Sequence, residues 1–506
     1  MALAACALVV MAAGPARAAA YSLDAELANF AKILERQRYI TLTPEFLAEL
    51  HLRSTQALLE RVRSKAEDPE RSPTNLCGIK GLECAGDIRF HDWHLHGDGI
   101  RKDVIFTARS GATISGHVWA TRGGPDQRPG VVITTGSVQA PEELYWGQAA
   151  TLAKHGYVVL TYDVQGQGAS DTFGEEPDRN ESFPAQQGQP FYDGTEDALD
   201  FLLSGPGRPY VPRPSCSTGT SHAPKHERRV AEGFNAAHNP LGDLVDAGRI
   251  GIAGHSLGAS AVSFIGQRDP RVDAIVAWDN LSQPDRGVTG SAPACPSAPE
   301  TRELPPITKP ALGISNDYSI APTPFTSDPD PGQKSEAFRA YRATGVDSGE
   351  LVIRGGCHEE SAFLPSGLTG PYPIPCGTLR GGDLVAWYTT AWFDKYVKRD
   401  RGADRRLLTD RWLADPPGAE VDLRGDANLY SFYFRSPLDI SLRGSHRAVC
   451  EDLRAGCSAL GPDGGPPVYD FVADAWDTAP ADAQPPGRSS TAPNSVRGSG
   501  RSRAPG

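Results

Sequence analysis

Between residues 130 and 398 short apolar strands alternate with helical stretches, and few architectures accept that pattern. Residues 130–135 form a β-branched run without polar alternation, as in a strand covered on both faces. Helical spacing follows over 142–155, then a second strand over 157–162. The series continues with a helix at 193–204, a strand at 249–253 and a helix at 257–267. Strands at 272–278, 310–314 and 350–354, with helices at 333–343 and 383–398, complete it. Strands that run the same way need long crossovers, so the alternation predicts βαβ units. The expected class is α/β, a mostly parallel, doubly wound sheet with helices on both faces.

The flanks differ. Residues 103–108 and 114–119 alternate like strands around the turn Arg109-Ser110-Gly111, which predicts an antiparallel hairpin leading the sheet, within strand-like sequence that runs from 88 to about 120. We place the core domain at 103–400, with lid-like inserts at 205–245 and 283–308, both too long for ordinary connections. Residues 21–102 form an N-terminal extension. Its 22–66 stretch has helical spacing (Leu23, Leu27, Phe30, Ile33, Leu34) with Ser22 as N-cap, and 73–87 is a cysteine-stapled loop. A C-terminal extension over 401–477 carries Trp412, Tyr430, Phe432 and Tyr433, enough aromatic surface to dock on the core. Residues 478–506 are Ala, Pro, Gly, Ser and Arg, a composition that predicts disorder.

Charge and cysteines constrain partners and compartment. With 50 basic against 62 acidic residues the net charge is −12, which argues against a nucleic acid as main partner. Past the N-terminus no apolar run is long enough to span a bilayer. Residues 1–20 read as a signal peptide ending at Ala16-Arg17-Ala18, although no Lys or Arg precedes the apolar part. Leu3-Ala4-Ala5-Cys6 resembles a lipoprotein box, but the apolar residues after Cys6 favour a signal-peptide cysteine and no lipid anchor. Eight of the nine cysteines then remain. Cys77 and Cys84 flank a short loop, as do Cys450 and Cys457; Cys357 and Cys376 bracket a Pro/Gly-rich loop, leaving Cys216 and Cys295. No Cys-x2-Cys pair points to zinc, so a disulfide-forming, secreted location is expected.

The chemistry rests on Gly254-His255-Ser256-Leu257-Gly258. A bare G-x-S-x-G arises by chance in a chain with 54 glycines. Here an apolar strand ends immediately before it and a helix of small residues begins immediately after, the setting that exposes a nucleophilic Ser256 on a sharp turn. A base and an acid should follow in chain order. Asp317 follows the strand at 310–314 and His358 the strand at 350–354, both at C-terminal strand ends, where open α/β sheets hold their sites. Asp279 also ends a strand and is the alternative acid; Glu359 and Glu360 read as solvated or capping residues. The oxyanion donors would be the N–H groups of Leu257 and Ser137, the latter in the loop Thr135-Gly136-Ser137. His91, His94 and His96 form H-x-x-H-x-H, but on a strand only two share a face, so no metal and no cofactor are expected.

These residues resemble the α/β-hydrolase superfamily, and within it the dienelactone-hydrolase-like and bacterial cutinase-like polyesterases, over about 103–400. Thr135-Gly136-Ser137 with Ala140-Pro141 is similar to the family's oxyanion loop, Gly254 to Gly258 to its elbow, and Trp278 to an aromatic of its acyl cleft. Asp317 and His358 match its acid and base, while Ser137 and Leu257 replace its usual aromatic and methionine. The resemblance implies a secreted serine esterase acting on a small-molecule or polymeric ester, with Tyr145, Trp146, Trp278 and Tyr318 as cleft candidates. Two other readings stand beside it: a serine peptidase of the same fold, and a catalytically inactive secreted binding protein.

Overall fold

The computed structural model describes residues 22–24, 27–28, 44–72, 85–95, 97–137, 140–179, 189–284, 304–318, 329–362, 379–414, 428–442 and 446–457. The expected signal peptide, Cys6, Cys77, Cys84, His96, Cys295, Cys376 and the tail from 478 lie outside those residues.

A ten-stranded sheet with the order β1-β2-β4-β3-β5-β6-β7-β8-β9-β10 organises the chain. β1 (Gly99–Thr107) and β2 (Thr113–Thr121) form the expected hairpin, and β2 runs antiparallel to β4 (Val158–Tyr162). From there β3 (Arg128–Thr134), β5 (Val245–His255), β6 (Val272–Trp278), β7 (Ala311–Asn316) and β8 (Ser348–Ile353) are parallel to β4. The continuous apolar runs have a simple cause. Val131 and Ile133 of β3 enter one core with α2 (Trp146–Lys154) and α7 (Leu379–Tyr396). Val132 enters the other, with α3 (Gln189–Leu202), α5 (Leu257–Arg268) and α6 (Glu336–Ala343). Both faces are covered, so an alternating polar residue would be buried without a partner.

Three sequence expectations change in the structure. The strand-like stretch from 88 begins as 3-10 turns at Ile88–Phe90 and Trp93–Leu95, and the strand starts only at Gly99. Of the 22–66 stretch, Leu23, Asp24, Leu27 and Ala28 are helical as expected, and helix α1 spans Pro44–Glu67, with proline at its start where no intrahelical N–H is needed; it docks through Phe46 and Leu50 onto Ala85 and Ile88. The insert 205–245, which carries α4 (Ala223–Ala231), is no lid over the strand ends. Ala236 donates to the Ile105 carbonyl and Tyr210 to that of Thr107, so it covers the open edge of β1, which a sheet must blunt. Finally, the C-terminal extension does more than dock: β9 (Leu438–Ser441) and β10 (Arg447–Cys450) add antiparallel strands beyond β8. The expected Cys450–Cys457 disulfide closes the turn after β10, with Cα atoms 5.6 Å apart.

Candidate active site

Ser256 stands between the last residue of β5 and the first of α5, with φ 56° and ψ −119°. Among the described residues only two other non-glycine residues have positive φ, and one of them is Asp279. Backbone strain of this kind persists where the surroundings over-determine it. They do so here. A Cβ on Gly254 would lie 2.4 Å from the Gly258 carbonyl oxygen, and one on Gly258 2.4 Å from that of Thr135. Strand, helix and the loop after β3 thus meet through glycine alone, with Ser256 held at the helix N-terminus. Leu257 is the first residue of α5, so its N–H has no intrahelical acceptor.

His358 lies in the turn after β8, its side chain 13% exposed. Its Nδ1 is 2.6 Å from Asp279 Oδ2. This corrects the choice of acid: Asp317 does not reach the imidazole. Its Oδ2 accepts from Gly355 N at 2.8 Å and its Oδ1 from the Ser431 hydroxyl, so it braces the root of the histidine turn against the C-terminal segment. Asp279 Oδ1 also faces Lys334 Nζ at 3.9 Å, and both side chains are 7% exposed. Burial works against the Asp279 charge, but Lys334 and then His358 outweigh it and hold the carboxyl below its ordinary 3.8. Burial likewise works against the His358 imidazolium, yet the hydrogen bond and charge of Asp279 raise its pKa above 6.5. With Nδ1 engaged by Asp279, Nε2 is the nitrogen left for proton transfer.

The loop after β3 touches Ser256, since a Cβ on Gly136 would be 3.3 Å from Ser256 Cβ. The Gly136 N–H is already given to the Tyr145 hydroxyl at 2.9 Å, which leaves Ser137, the next residue, as the donor to be tested there. All four expected cleft residues are instead buried. Tyr145 and Trp278 are fully buried and lie 6.3 Å apart with nearly parallel rings, and Trp278 Nε1 donates to Thr389 Oγ1. Trp146 packs on His91, His117 and Trp119, under Arg101. Tyr318 is 2% exposed, its N–H bonded to the Gly356 carbonyl in the histidine turn. Glu360 accepts from Cys357 N at 3.3 Å, the capping role expected of it. His91 and His94 occupy the 3-10 region, not a strand.

Lys334 escaped sequence reading altogether, because nothing in its surroundings marks a buried lysine. The motif does not reveal the partners of His255, which is bonded on both ring nitrogens, to Tyr145 and to the carbonyl of His358. A cavity of about 420 Å³ between α1 and the hairpin, lined by Arg61, Arg101, His117, Glu142 and Glu143, includes neither Ser256 nor His358.

In comparisons with protein-family models and with curated proteins, the chain matches none.

Proposed function

We propose that this chain is a secreted serine hydrolase of the α/β-hydrolase fold that cleaves carboxylic esters through an acyl-enzyme. The observation that carries the reading is the strained Ser256 at the head of α5 on the same sheet end as the 2.6 Å His358–Asp279 pair. Ser256 Oγ attacks the ester carbonyl while His358 Nε2 takes its proton, and Asp279 stabilises the imidazolium. Leu257 N–H and Ser137 N–H would hold the oxyanion. Collapse of the tetrahedral adduct breaks the C–O bond, and His358 gives its proton to the leaving alcohol. Water then adds to the acyl-enzyme by the same steps and releases the acid. The parallel strand ends support the placement, since sites of open α/β sheets collect there. Disulfide formation at Cys450–Cys457 supports an oxidising compartment.

The test is labelling with a fluorophosphonate, followed by turnover of aryl esters of increasing acyl length beside peptide anilides. Labelling at Ser256 with ester turnover, lost in Ser256→Ala and His358→Ala, is the expected result. Anilide turnover exceeding ester turnover would make the chain a peptidase, and an unlabelled Ser256 would leave a binding protein.

A further inference from the structure

The middle residue of the elbow's first half, His255, belongs to no step of the reaction just described. It is the last residue of β5 and 3% exposed. Its two hydrogen bonds have directions that chemistry assigns. His255 Nε2 lies 2.6 Å from the His358 carbonyl oxygen, which only accepts, so Nε2 carries the proton. Burial, with His358 nearby, pushes the His255 pKa down to about 3, so the ring is neutral and Nδ1 bears a lone pair. The Tyr145 hydroxyl, 2.7 Å away, therefore donates to Nδ1. The Tyr145 oxygen in turn accepts the Gly136 N–H at 2.9 Å. One unidirectional chain results. Gly136 N–H donates to Tyr145, Tyr145 to His255, and His255 to the main chain of His358.

That chain joins two loops that regular structure does not otherwise connect. Gly136 belongs to the loop after β3, which touches Ser256 Cβ, and His358 to the turn after β8. β5 lies between them in the sheet, and His255 is covalently next to Ser256. We propose that His255 is a positioning residue, which through Tyr145 and the His358 carbonyl sets the oxyanion loop and the general base relative to Ser256. The inference rests on the ester-hydrolase reading. A histidine that merely filled the core would be replaceable by an apolar ring of similar size with turnover intact.

The experiment compares the full chain with His255→Phe, His255→Gln and Tyr145→Phe, using one aryl ester and the rate of fluorophosphonate labelling. Misplacement by about 1 Å costs on the order of 100-fold in rate. His255→Phe should therefore lower kcat by about 10- to 100-fold with KM within about threefold, and slow labelling in parallel. His255→Gln keeps an amide donor for the His358 carbonyl and should recover part of the loss. Tyr145→Phe removes a single hydroxyl and guards against a His255→Phe variant that fails to fold; its kcat should fall about 10-fold with melting unchanged to within a few degrees. Folded variants with parental kcat overturn the inference and leave the enzyme reading standing. A parent that neither labels nor turns over esters overturns both.

Discussion

Asp279 Oδ2 and His358 Nδ1 meet at 2.6 Å across the end of an intervening strand. Asp279 follows β6 and His358 follows β8, with β7 between them in the sheet. The acid at the end of β7, Asp317, is turned instead toward Gly355 and Ser431. The left-handed φ of 37° at Asp279 accompanies this placement of its carboxylate at the imidazole.

Exchange of each carboxylate separates the two roles. Asp279→Asn should lower kcat for an aryl ester by about 10⁴-fold, because the amide no longer stabilises the imidazolium or fixes its tautomer. Asp317→Asn should cost far less turnover and act through stability, as two hydrogen bonds to the histidine turn and Ser431 weaken. Denaturant midpoints beside kcat read both effects; a larger loss of kcat from Asp317→Asn would restore Asp317 as the acid.

In the proposed reaction the base is neutral His358, so the raised pKa places the acid limb of kcat/KM above pH 6.5. Asp279 and Glu359 push that limb up, while Lys334 pulls it down. Lys334→Met should therefore move the limb to higher pH, and pH profiles of the parent and variant provide the measurement. The stability linkage has the opposite sense to activity. A folded-state histidine pKa above the unfolded value stabilises at pH below the unfolded value, and that contribution is lost as pH rises through the folded one.

Much of the sheet is legible in the sequence, because strands covered on both faces are unbroken apolar runs and their helices have a 3.6-residue period. β6, read at 272–278, coincides with Val272–Trp278. The extra strands β9 and β10 were not legible, since four-residue antiparallel strands at a sheet margin carry little periodic signal. Within the site, Ser256, Leu257 and His358 are placed by what flanks them. The acid is not, because Asp279 and Asp317 both end strands and only the direction of the side chains distinguishes them. The bonds of His255 are equally hidden, as Tyr145 is distant in sequence.

Gly258→Ala tests the elbow without touching a reacting group. The added methyl would meet the Thr135 and Thr134 carbonyl oxygens at 2.4 and 2.5 Å, backbone atoms that cannot rotate away. Overpacking of this kind costs about 1–3 kcal/mol. Chemical denaturation should show that loss, and fluorophosphonate labelling of the folded fraction should slow as the loop after β3 is displaced from Ser256. Parental stability together with parental labelling would contradict the close approach.

Cys357 immediately precedes His358, and it is disulfide-bonded. Its position, followed by a Pro/Gly-rich loop that ends at Cys376, makes Cys376 the expected partner. A ring of about 20 residues closed in this way stabilises by on the order of 3 kcal/mol in the loop-entropy model. The local effect should be larger than that figure implies, because the proposed base is the next residue along. Among the described residues His358 is otherwise tied down by Asp279, His255 and the turn that Glu360 caps. Mild reduction should therefore lower ester turnover before tryptophan fluorescence reports global unfolding. Non-reducing peptide mapping should recover the peptides of Cys357 and Cys376 linked together. Recovery of Cys357 joined to Cys295 or any other cysteine would remove the assigned pairing, and turnover unaffected by full reduction would remove its role in holding the base.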